Sequence, residues 1–256
     1  MTLPLYPVAG FIVGLFVALT GVGGGSLMTP ILILLGGVAP VTAVGTDLLL
    51  AAATKTVGTA VFGLERAVEW RIVWRLAMGS LPGAALSLFA LSQVLREPAA
   101  GRALSVLLGI VVMCGAAALF FRGALFRWAS RNTLLLSERR RESLTVVTGL
   151  LLGVLVSLTS VGAGALGMVV LVLIYRDLPA SRLVATDIAH AVPLTLLAGF
   201  GHWWLGSIDW ALLGSLLIGS VPGVLVGCFL ATRIPDGFLR PILATVLLFV
   251  GGRLVY

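Results

Sequence analysis

Long apolar runs separated by short polar stretches fill this chain from one end to the other. The polar stretches are too short to form a separate domain, and the apolar runs reach roughly the 20 residues that a helix needs to cross a bilayer. Conventional membrane-spanning helices are predicted at approximately 44–63, 71–93, 103–121, 184–204, 209–231 and 239–255. The pattern therefore predicts an all-α integral membrane protein.

Two further apolar segments, residues 7–37 and 145–175, do not fit a single crossing. Each would measure about 46 Å as one helix, against about 30 Å for the hydrocarbon core of a bilayer. Gly-rich runs at 21–25 and 160–164 divide each segment into two pieces of about a dozen residues. We predict helical hairpins that enter the membrane, turn near mid-depth and leave on the same side. A continuous but locally unwound helix is the alternative.

The interrupted segments belong to an internal duplication with an offset of about 140 residues. The corresponding pairs are 14–25 with 153–164, 46–47 with 186–187, 69–70 with 209–210, and 79–83 with 219–223. A hairpin plus three crossings is an odd number of passages, so the second copy must be inverted relative to the first. We therefore predict two inverted-topology repeats, residues 1–121 and 143–256, joined by a basic linker at 122–142.

Charge supports this topology. Only 11% of residues are charged and the formal net charge is +7, with the basic residues at the edges of apolar segments. That distribution is typical of loops that face anionic lipid, and it excludes nucleic acid as a partner. Inversion places most arginines on one side of the membrane, which we predict to be cytoplasmic, with both termini on the outside. The cytoplasmic side would carry Arg66, Arg71, Arg75, the 122–141 cluster, Arg176, Arg182, Arg233 and Arg240, and the outside would carry Arg96, Arg102 and Arg253.

A few ionisable side chains fall inside the predicted spans: Asp47, Lys55, Asp187 and His190. A charge at bilayer depth costs about 2.5–3.5 kcal/mol, so these groups must face protein or a wet cavity. Asp47 and Asp187 each follow a Thr at a predicted helix start, so N-terminal capping is an alternative that is compatible with lining a site. Lys55 is the only lysine of the chain, and we predict that it is functional or pairs with a functional acid.

The two Gly-rich breaks are the predicted substrate site. Unwinding there frees backbone N–H groups, and the positive end of the following half-helix can bind an anion without a charged side chain. Close helix packing is the simpler explanation of any single Gly-rich run. With Lys55 included, the predicted substrate-binding residues are Thr20, Gly21, Val22, Gly23, Gly24, Gly25, Ser26, Thr159, Ser160, Val161, Gly162, Ala163 and Gly164.

Other motifs receive structural interpretations. His202 is a candidate gate or proton-relay residue, and the neighbouring tryptophans resemble an interfacial belt. The repeated Gly-Ser-x-Pro-Gly motifs at 79–83 and 219–223 predict helix kinks or close packing. Cys114 and Cys228 lie in apolar runs and are expected to be buried small residues. They give neither a disulfide framework nor a metal site, and no cofactor is predicted.

The Gly-rich break and the downstream Ala43-Val-Gly-Thr46-Asp-Leu48 resemble the TauE/SafE sulfite-exporter family of bacterial membrane proteins. The resemblance covers essentially the whole chain. It implies a multi-pass protein of the bacterial inner membrane that exports, or takes up, sulfite, thiosulfate, sulfonates or other organosulfur anions. The family pattern often has Gly-Thr-Ser where this chain has Gly45-Thr46-Asp47. The added acids, with Lys55 and His190, favour proton or cation coupling.

These observations predict a secondary transporter that exports small sulfur-containing anions by alternating access, with the two halves rocking about the site. Protonation of Asp187, Asp47 or His190 is expected to supply coupling. The alternatives are a passive anion channel and an uptake permease for another small organic anion. An enzyme is not expected, since the chain offers little for a nucleophile–base pair or a metal centre. The predicted partners are a small anion and membrane lipid, and a homodimer is left open.

Overall fold

A computed structural model describes residues 5–20, 25–64, 67–94, 100–131, 137–162, 164, 166–231, 245 and 248–254. Helices account for the regular structure of this part of the chain, as predicted. Their bounds are α1 Leu5–Thr20, α2 Gly25–Leu34, α3 Pro40–Leu64, α4 Trp70–Val94, α5 Ala100–Arg131, α6 Glu138–Thr159, α7 Leu166–Ile174, α8 Ala180–Trp204 and α9 Trp210–Ala231. Residues 248–254 are helical as well.

Five of the predicted spans coincide with helices, and four helices in the described chain are long and apolar enough to cross a membrane. The exception in length is α5, which continues to Arg131, ten residues beyond the predicted end at 121. Hydropathy detects where the apolar stretch stops, whereas backbone hydrogen bonding can carry a helix further into water. Part of the predicted 122–142 linker is therefore helical, and α6 already begins at Glu138. Much of the span predicted at 239–255 lies outside the described residues.

The second interrupted segment forms the predicted hairpin. The Thr145 hydroxyl, near the start of α6, lies 2.9 Å from the Tyr175 hydroxyl just after α7. On the same side, Arg141 forms a 3.0 Å ion pair with Asp177. The segment therefore leaves on the side where it entered. The predicted length of its first arm was wrong, because α6 has 22 residues: its polar first turns extend the helix beyond the apolar stretch.

The first interrupted segment is built in the same way from α1, with 16 residues, and α2, with 10. Tyr6 near the start of α1 and Val38 after α2 pack against one apolar cluster, so the two ends of this segment also lie on one side. The predicted turn at residues 21–24 lies outside the described residues.

The duplication is visible in the tertiary contacts. Helices α3 and α8 have 25 residues each, and both ends of α8 lie 140 residues after those of α3. The Thr46 hydroxyl accepts a hydrogen bond from the Asp209 amide at 3.1 Å. The equivalent Thr186 hydroxyl accepts one from the Glu69 amide at 3.0 Å. Each copy thus stabilises the start of the fourth helix of the other copy.

Packing unites elements of the two copies into two lobes. Helix α1 packs along α9, and α6 packs along α4, through glycines that bring one backbone against the next. A Cβ at Gly79 would collide with the Val146 carbonyl, and a Cβ at the equivalent Gly219 would collide with the Pro7 carbonyl. Close packing is therefore the role of the Gly-Ser-x-Pro-Gly motifs. We call α1, α2, α3 and α9 the first lobe, and α4, α6, α7 and α8 the second lobe.

Arginines assigned to one side by the charge pattern come together in the structure. Arg75 of α4 forms ion pairs with Glu138 and Glu142 at the start of α6. Arg182 at the start of α8 forms one with Glu69 at 2.7 Å. The termini of α4, α6, α7 and α8 therefore share one charged face.

Surface residues fit lipid contact. Trp70, Trp203, Trp204 and Trp210 are exposed near helix ends, as expected for an interfacial belt. Cys114 is exposed on α5, so the expectation that it is buried was wrong; the side chain of Cys228 lies outside the described part. An apolar side chain of a membrane helix can face either the lipid or the protein interior. The sequence pattern does not distinguish these two environments, so it could not place Cys114.

Candidate functional site

The candidate site lies where α3 of the first lobe packs against α8 of the second. These helices carry the buried ionisable residues Asp47, Lys55, Asp187 and His190, each 6% exposed or less. Neither aspartate is a helix cap. Helix α3 begins at Pro40 and α8 follows an N-cap at Pro179, so both acids are seven residues inside their helices. Proline suits a helix start because it lacks the N–H that would be unsatisfied there. The capping alternative is thereby excluded.

Asp47 lies in a pocket of hydroxyl groups in the first lobe. The Thr29 hydroxyl of α2 donates a hydrogen bond of 2.5 Å to Oδ2 of Asp47. Ser160, at the break between α6 and α7, also lies beside this carboxylate. Oδ1 of Asp47 has no hydrogen-bond partner among the described residues, and neither has the Ser160 hydroxyl. The carboxylate therefore joins the first lobe to the break of the second.

A small cavity adjoins Asp47. It has a volume of about 10 Å³ and is lined in part by Asp47, Thr54 and Ser220. A cavity of that size holds about one water molecule or a small ion. The Ser220 hydroxyl is buried and lacks a partner within the described chain. The Thr54 hydroxyl donates a hydrogen bond to the Leu50 carbonyl at 3.0 Å, and its oxygen lone pairs stay available as acceptors for another group.

Asp187 occupies the corresponding position in the second lobe with different neighbours. A Cβ added to Gly167 of α7 would lie 2.6 Å from its Oδ1, so the carboxylate lies directly against the α7 backbone. One turn further along α8, Nε2 of His190 lies 2.8 Å from the Ser80 hydroxyl of α4. Nδ1 of His190 has no partner among the described residues. This lobe thus combines a carboxylate with an imidazole in place of a set of hydroxyls.

Lys55 lies between the two carboxylates. Asp187 is the acid that acts most strongly on it, and Asp47 is the second. Its charge also acts on His190. In the described part of the chain, Lys55 forms no ion pair within 4.0 Å, so it interacts with both acids at longer range. A buried ammonium without a close counterion leaves a place for an anion beside it.

The break between α6 and α7 has unusual backbone geometry. Ser160 is left-handed at φ 58°, and Gly162 has φ 125°, a region that glycine reaches at little cost. Some of the freed amides are already bonded: the Ser160 amide donates to Val156, and the Val161 amide donates to the Thr159 hydroxyl. Thr159 is therefore committed to the backbone. The amides of Gly162 and Gly164 form no hydrogen bond with the described residues.

The two broken segments approach each other. Val161 in the second break, Leu166 at the start of α7 and Leu27 near the start of α2 belong to one apolar cluster. The half-helices α2 and α7 therefore pack against the same apolar cluster. Gly21 to Gly24 and Ala163 lie outside the described residues, as do the side chains of Thr20 and Ser26. Gly25 is the first residue of α2.

His202 lies apart from this group at the end of α8. Its Nδ1 lies 3.0 Å from the Ser207 hydroxyl, and its Nε2 lies 2.9 Å from the Ser157 carbonyl. Both ring nitrogens are thus occupied, and the residue is fully buried. These bonds tie the end of α8 to α6, which favours a structural role over gating.

Thr29, Gly167, Ser80 and Ser220 were not predicted as site residues. The two serines had a sequence signal, because they occupy the same position in the duplicated Gly-Ser-x-Pro-Gly motif. That motif was interpreted through its glycines and proline alone. Thr29 and Gly167 had no such signal, because only tertiary packing brings α2 and α7 against the aspartates.

Duplicated apolar helices around buried charges define a polytopic membrane protein of the transporter class. A model of the family "Sulfite exporter TauE/SafE" matches residues 6–254. The chain belongs to the TauE/SafE family, and it is a multi-pass membrane transporter.

Two curated relatives from Bacillus subtilis (strain 168) agree with this membership. The chain is 37% identical to "Probable membrane transporter protein YjnA" over 253 residues, which cover 96% of this chain and 97% of that protein. It is 28% identical to "Probable membrane transporter protein YdhB" over 248 residues, or 93% and 96% of the two chains. No solved structure matches significantly.

Proposed function

We propose that this protein is a secondary transporter of the bacterial inner membrane that exports small sulfur-containing anions: sulfite, thiosulfate or organosulfonates. One observation carries the proposal. The single lysine of the chain is buried at the contact of α3 and α8, between two carboxylates, one of which lies beside the helix break at Ser160. Charged groups at this depth are costly and rare, and they typically mark the pathway of a transported ion. The family description supplies the sulfur anion as the substrate class.

The proposed anion site combines Lys55 with the second break. The amides of Gly162 and Gly164 precede α7, whose N-terminus carries the positive end of the helix dipole. An oxyanion held there would receive hydrogen bonds from the backbone and a point charge from Lys55. By the duplication, Gly21 to Gly24 and Gly25, the first residue of α2, are proposed to complete the site. Backbone donors bind oxyanions of different size, which fits a family with several sulfur substrates.

Alternating access is proposed to occur at the contact of the two lobes. Backbone-to-backbone packing of α1 on α9 and of α6 on α4 makes each of these pairs a rigid unit. The sequence repeats therefore do not move as separate bodies, because each lobe contains helices of both. Small residues at the contact of α3 with α8, among them Ala191 and Ala198, give a smooth surface along which the lobes can shift.

Coupling to a cation follows from the charges. Two carboxylates and one lysine sum to −1 before an anion enters, so a monovalent cation is needed to balance the site. The sequence predicts a proton at Asp47, Asp187 or His190. A cation on either acid would release Lys55 to the substrate, which links the two binding events.

A carrier and a passive channel differ in their electrical behaviour. A channel needs a continuous wet path and conducts ions through it. Planar-bilayer recordings distinguish the two, because a carrier gives no single-channel currents.

Reconstituted transport tests the proposal. Proteoliposomes loaded with unlabelled sulfite, thiosulfate or taurine should accumulate the matching ³⁵S-labelled anion by exchange, and chloride should not compete. Thermal unfolding of the purified protein with sulfite, sulfate, thiosulfate, taurine and sulfoacetate should rank the same ligands. If none of these anions exchanges or stabilises the protein, the substrate class is wrong.

Orientation is a separate prediction. We expect residues 122–142 in the cytoplasm and both termini outside, from the arginine asymmetry and the odd number of passages. Single cysteines at Ser130 and near Met1, in a background with Cys114 and Cys228 replaced by Ala, should be labelled from opposite sides of intact cells. Labelling from the same side would rule out the inverted repeats.

A further inference from the structure

The hydroxyl-lined pocket around Asp47 contains more oxygen atoms than are required to bind a proton, which needs only the carboxylate. Oδ1 of Asp47 and the hydroxyls of Ser160 and Ser220 are all buried, and none has a partner among the described residues. Unpaired buried polar atoms are rare in folded proteins and call for a ligand or water. Asp47 and Ser220 both line the 10 Å³ cavity, and Ser160 lies beside the Asp47 carboxylate, so the three groups lie together at Asp47.

The buried charges at the contact of the lobes do not balance. Lys55 supplies one positive charge for two carboxylates, Asp47 and Asp187. His190 is best neutral, because Nδ1 has no acceptor for a second N–H among the described residues and Lys55 adds a like charge nearby. The two carboxylates and the lysine then leave a net charge of −1, which matches a monovalent ion. The hydroxyls of Thr29, Ser160 and Ser220 favour Asp47 as its place.

The position of the pocket also suits a cation. Helix α6 ends at Thr159, and Ser160, its C-cap, lies beside Asp47. The C-terminal end of a helix carries the negative end of its dipole. In membrane transporters, such half-helix ends and the unwound backbone next to them are recurrent sites of coupling cations.

From these observations we propose that Asp47 binds one sodium ion at the contact of the lobes, with oxygen ligands from Thr29 and Ser220 of the first lobe and from Ser160 at the break of the second. The second lobe cannot form an equivalent site. Ser80, the counterpart of Ser220, is occupied by His190, and the counterpart of Thr29 is Met168. This proposal deepens the proposed function. The role of the sodium ion in coupling rests on the proposed function, whereas the binding of sodium itself does not depend on it.

Sodium binding can be measured without any transported anion. Unfolding of the purified protein, followed by tryptophan fluorescence, should be compared in NaCl, KCl and choline chloride at one ionic strength. At 100 times its Kd, sodium should raise Tm by about 5–10 °C relative to choline. Equilibrium dialysis with ²²Na⁺ should give one ion per chain.

Matched variants locate the site. Asp47→Asn and Ser220→Ala should lose most of the Tm shift and the bound ²²Na⁺, whereas Ser80→Ala, the same change at the duplicated position, should keep both. Ser220→Ala removes a single oxygen and keeps the test open if Asp47→Asn does not fold.

Three results would overturn the proposal. One is an equal Tm in sodium and choline, which would leave only water in the cavity. Another is loss of the sodium response in Ser80→Ala but not in Ser220→Ala. The third is stabilisation by acid alone, which would make the ion a proton. If sulfur-anion exchange occurs but no sodium binds, this inference is refuted and the proposed function stands. If sodium binds but no sulfur anion is exchanged, the proposed function is refuted and the sodium site stands.

Discussion

The two lobes share a framework and differ in the groups around their aspartates. Asp47 and Asp187 occupy the same position on α3 and α8, each seven residues into its helix and each beside the second arm of a hairpin. In the first lobe, that arm offers the Thr29 hydroxyl. In the second, it offers the backbone at Gly167.

Four further duplicated positions have diverged. Gly21, Leu50, Thr54 and Lys55 of the first copy correspond to Ser160, His190, Leu194 and Thr195 of the second. Hydroxyls and the lysine therefore concentrate where α3 meets the second break, and the imidazole lies in the second lobe. A duplicated scaffold supplies two equivalent places for a charge, and later substitutions let one hold a cation while the other balances a lysine.

Removing the lysine should have the largest effect. Lys55→Met should reduce transport by about 100-fold or more, because truncating one partner of a buried charged group costs several kcal/mol. Lys55→Arg should transport more slowly than the wild type, because a planar guanidinium does not replace a point charge. Initial rates in proteoliposomes, normalised to inserted protein, measure both.

Thr195→Val is the matched control at the duplicated position. The Thr195 hydroxyl donates to the Ala191 carbonyl of its own helix, so its loss should leave transport near the wild-type rate. Equal losses in Lys55→Met and Thr195→Val would mean that the two lobes are functionally equivalent at this level.

Blocking the second break should abolish substrate binding. Gly162→Leu forces a side chain onto a residue with φ 125° and narrows the approach to the amides. Gly24→Leu should do the same in the first break. Ligand-induced Tm shifts measure binding in each variant.

Gly206→Leu controls for backbone strain, since Gly206 has φ 69° and a Cβ added there would meet no described atom within 4 Å. It should lower stability but keep ligand binding. Binding that survives in both break variants would assign those glycines to helix packing alone.

Crowding Asp187 should have a smaller effect. The Cβ of Gly167→Ala would lie 2.6 Å from Oδ1 of Asp187, so the Asp187 carboxylate must move away from α7. We expect transport to fall about tenfold. Gly214→Ala, in open space on α9, should be neutral. An unchanged rate in Gly167→Ala would show that the position of Asp187 is not critical, and would weaken the contrast between the lobes.

The smallest effect on transport is expected at His202. His202→Leu should lower the free energy of unfolding by about 1–3 kcal/mol, because the Ser157 carbonyl and the Ser207 hydroxyl lose a partner. Transport per folded molecule should not change. Its exposed neighbour Trp204 offers a control, since Trp204→Phe should change neither the free energy of unfolding nor the rate of transport. A large loss of transport at normal stability would restore a gating role to His202.

Much of the fold was predictable because hydropathy and duplication are properties of the sequence. Apolar length predicted α3, α4, α8 and α9, and the Gly-rich break predicted the hairpin of α6 and α7. The candidate charges were also visible, since a lysine or aspartate inside an apolar run is costly and must face protein or a wet cavity. The contacts of Asp47 with its neighbours were not predictable, because only the tertiary packing brings α2 with Thr29 and α9 with Ser220 against it.

By itself, the sequence determined that the chain is a duplicated helical membrane protein and that Asp47, Lys55, Asp187 and His190 are buried inside its helices. Burial of apolar segments and the cost of charge at depth act on each segment independently, so a linear pattern records them. Only the tertiary structure decided that each lobe mixes helices of both repeats, that the aspartates do not cap their helices, and that hydroxyls surround one aspartate but not the other. These features depend on glycine faces and side chains that meet across the bundle, and the linear pattern does not specify those meetings.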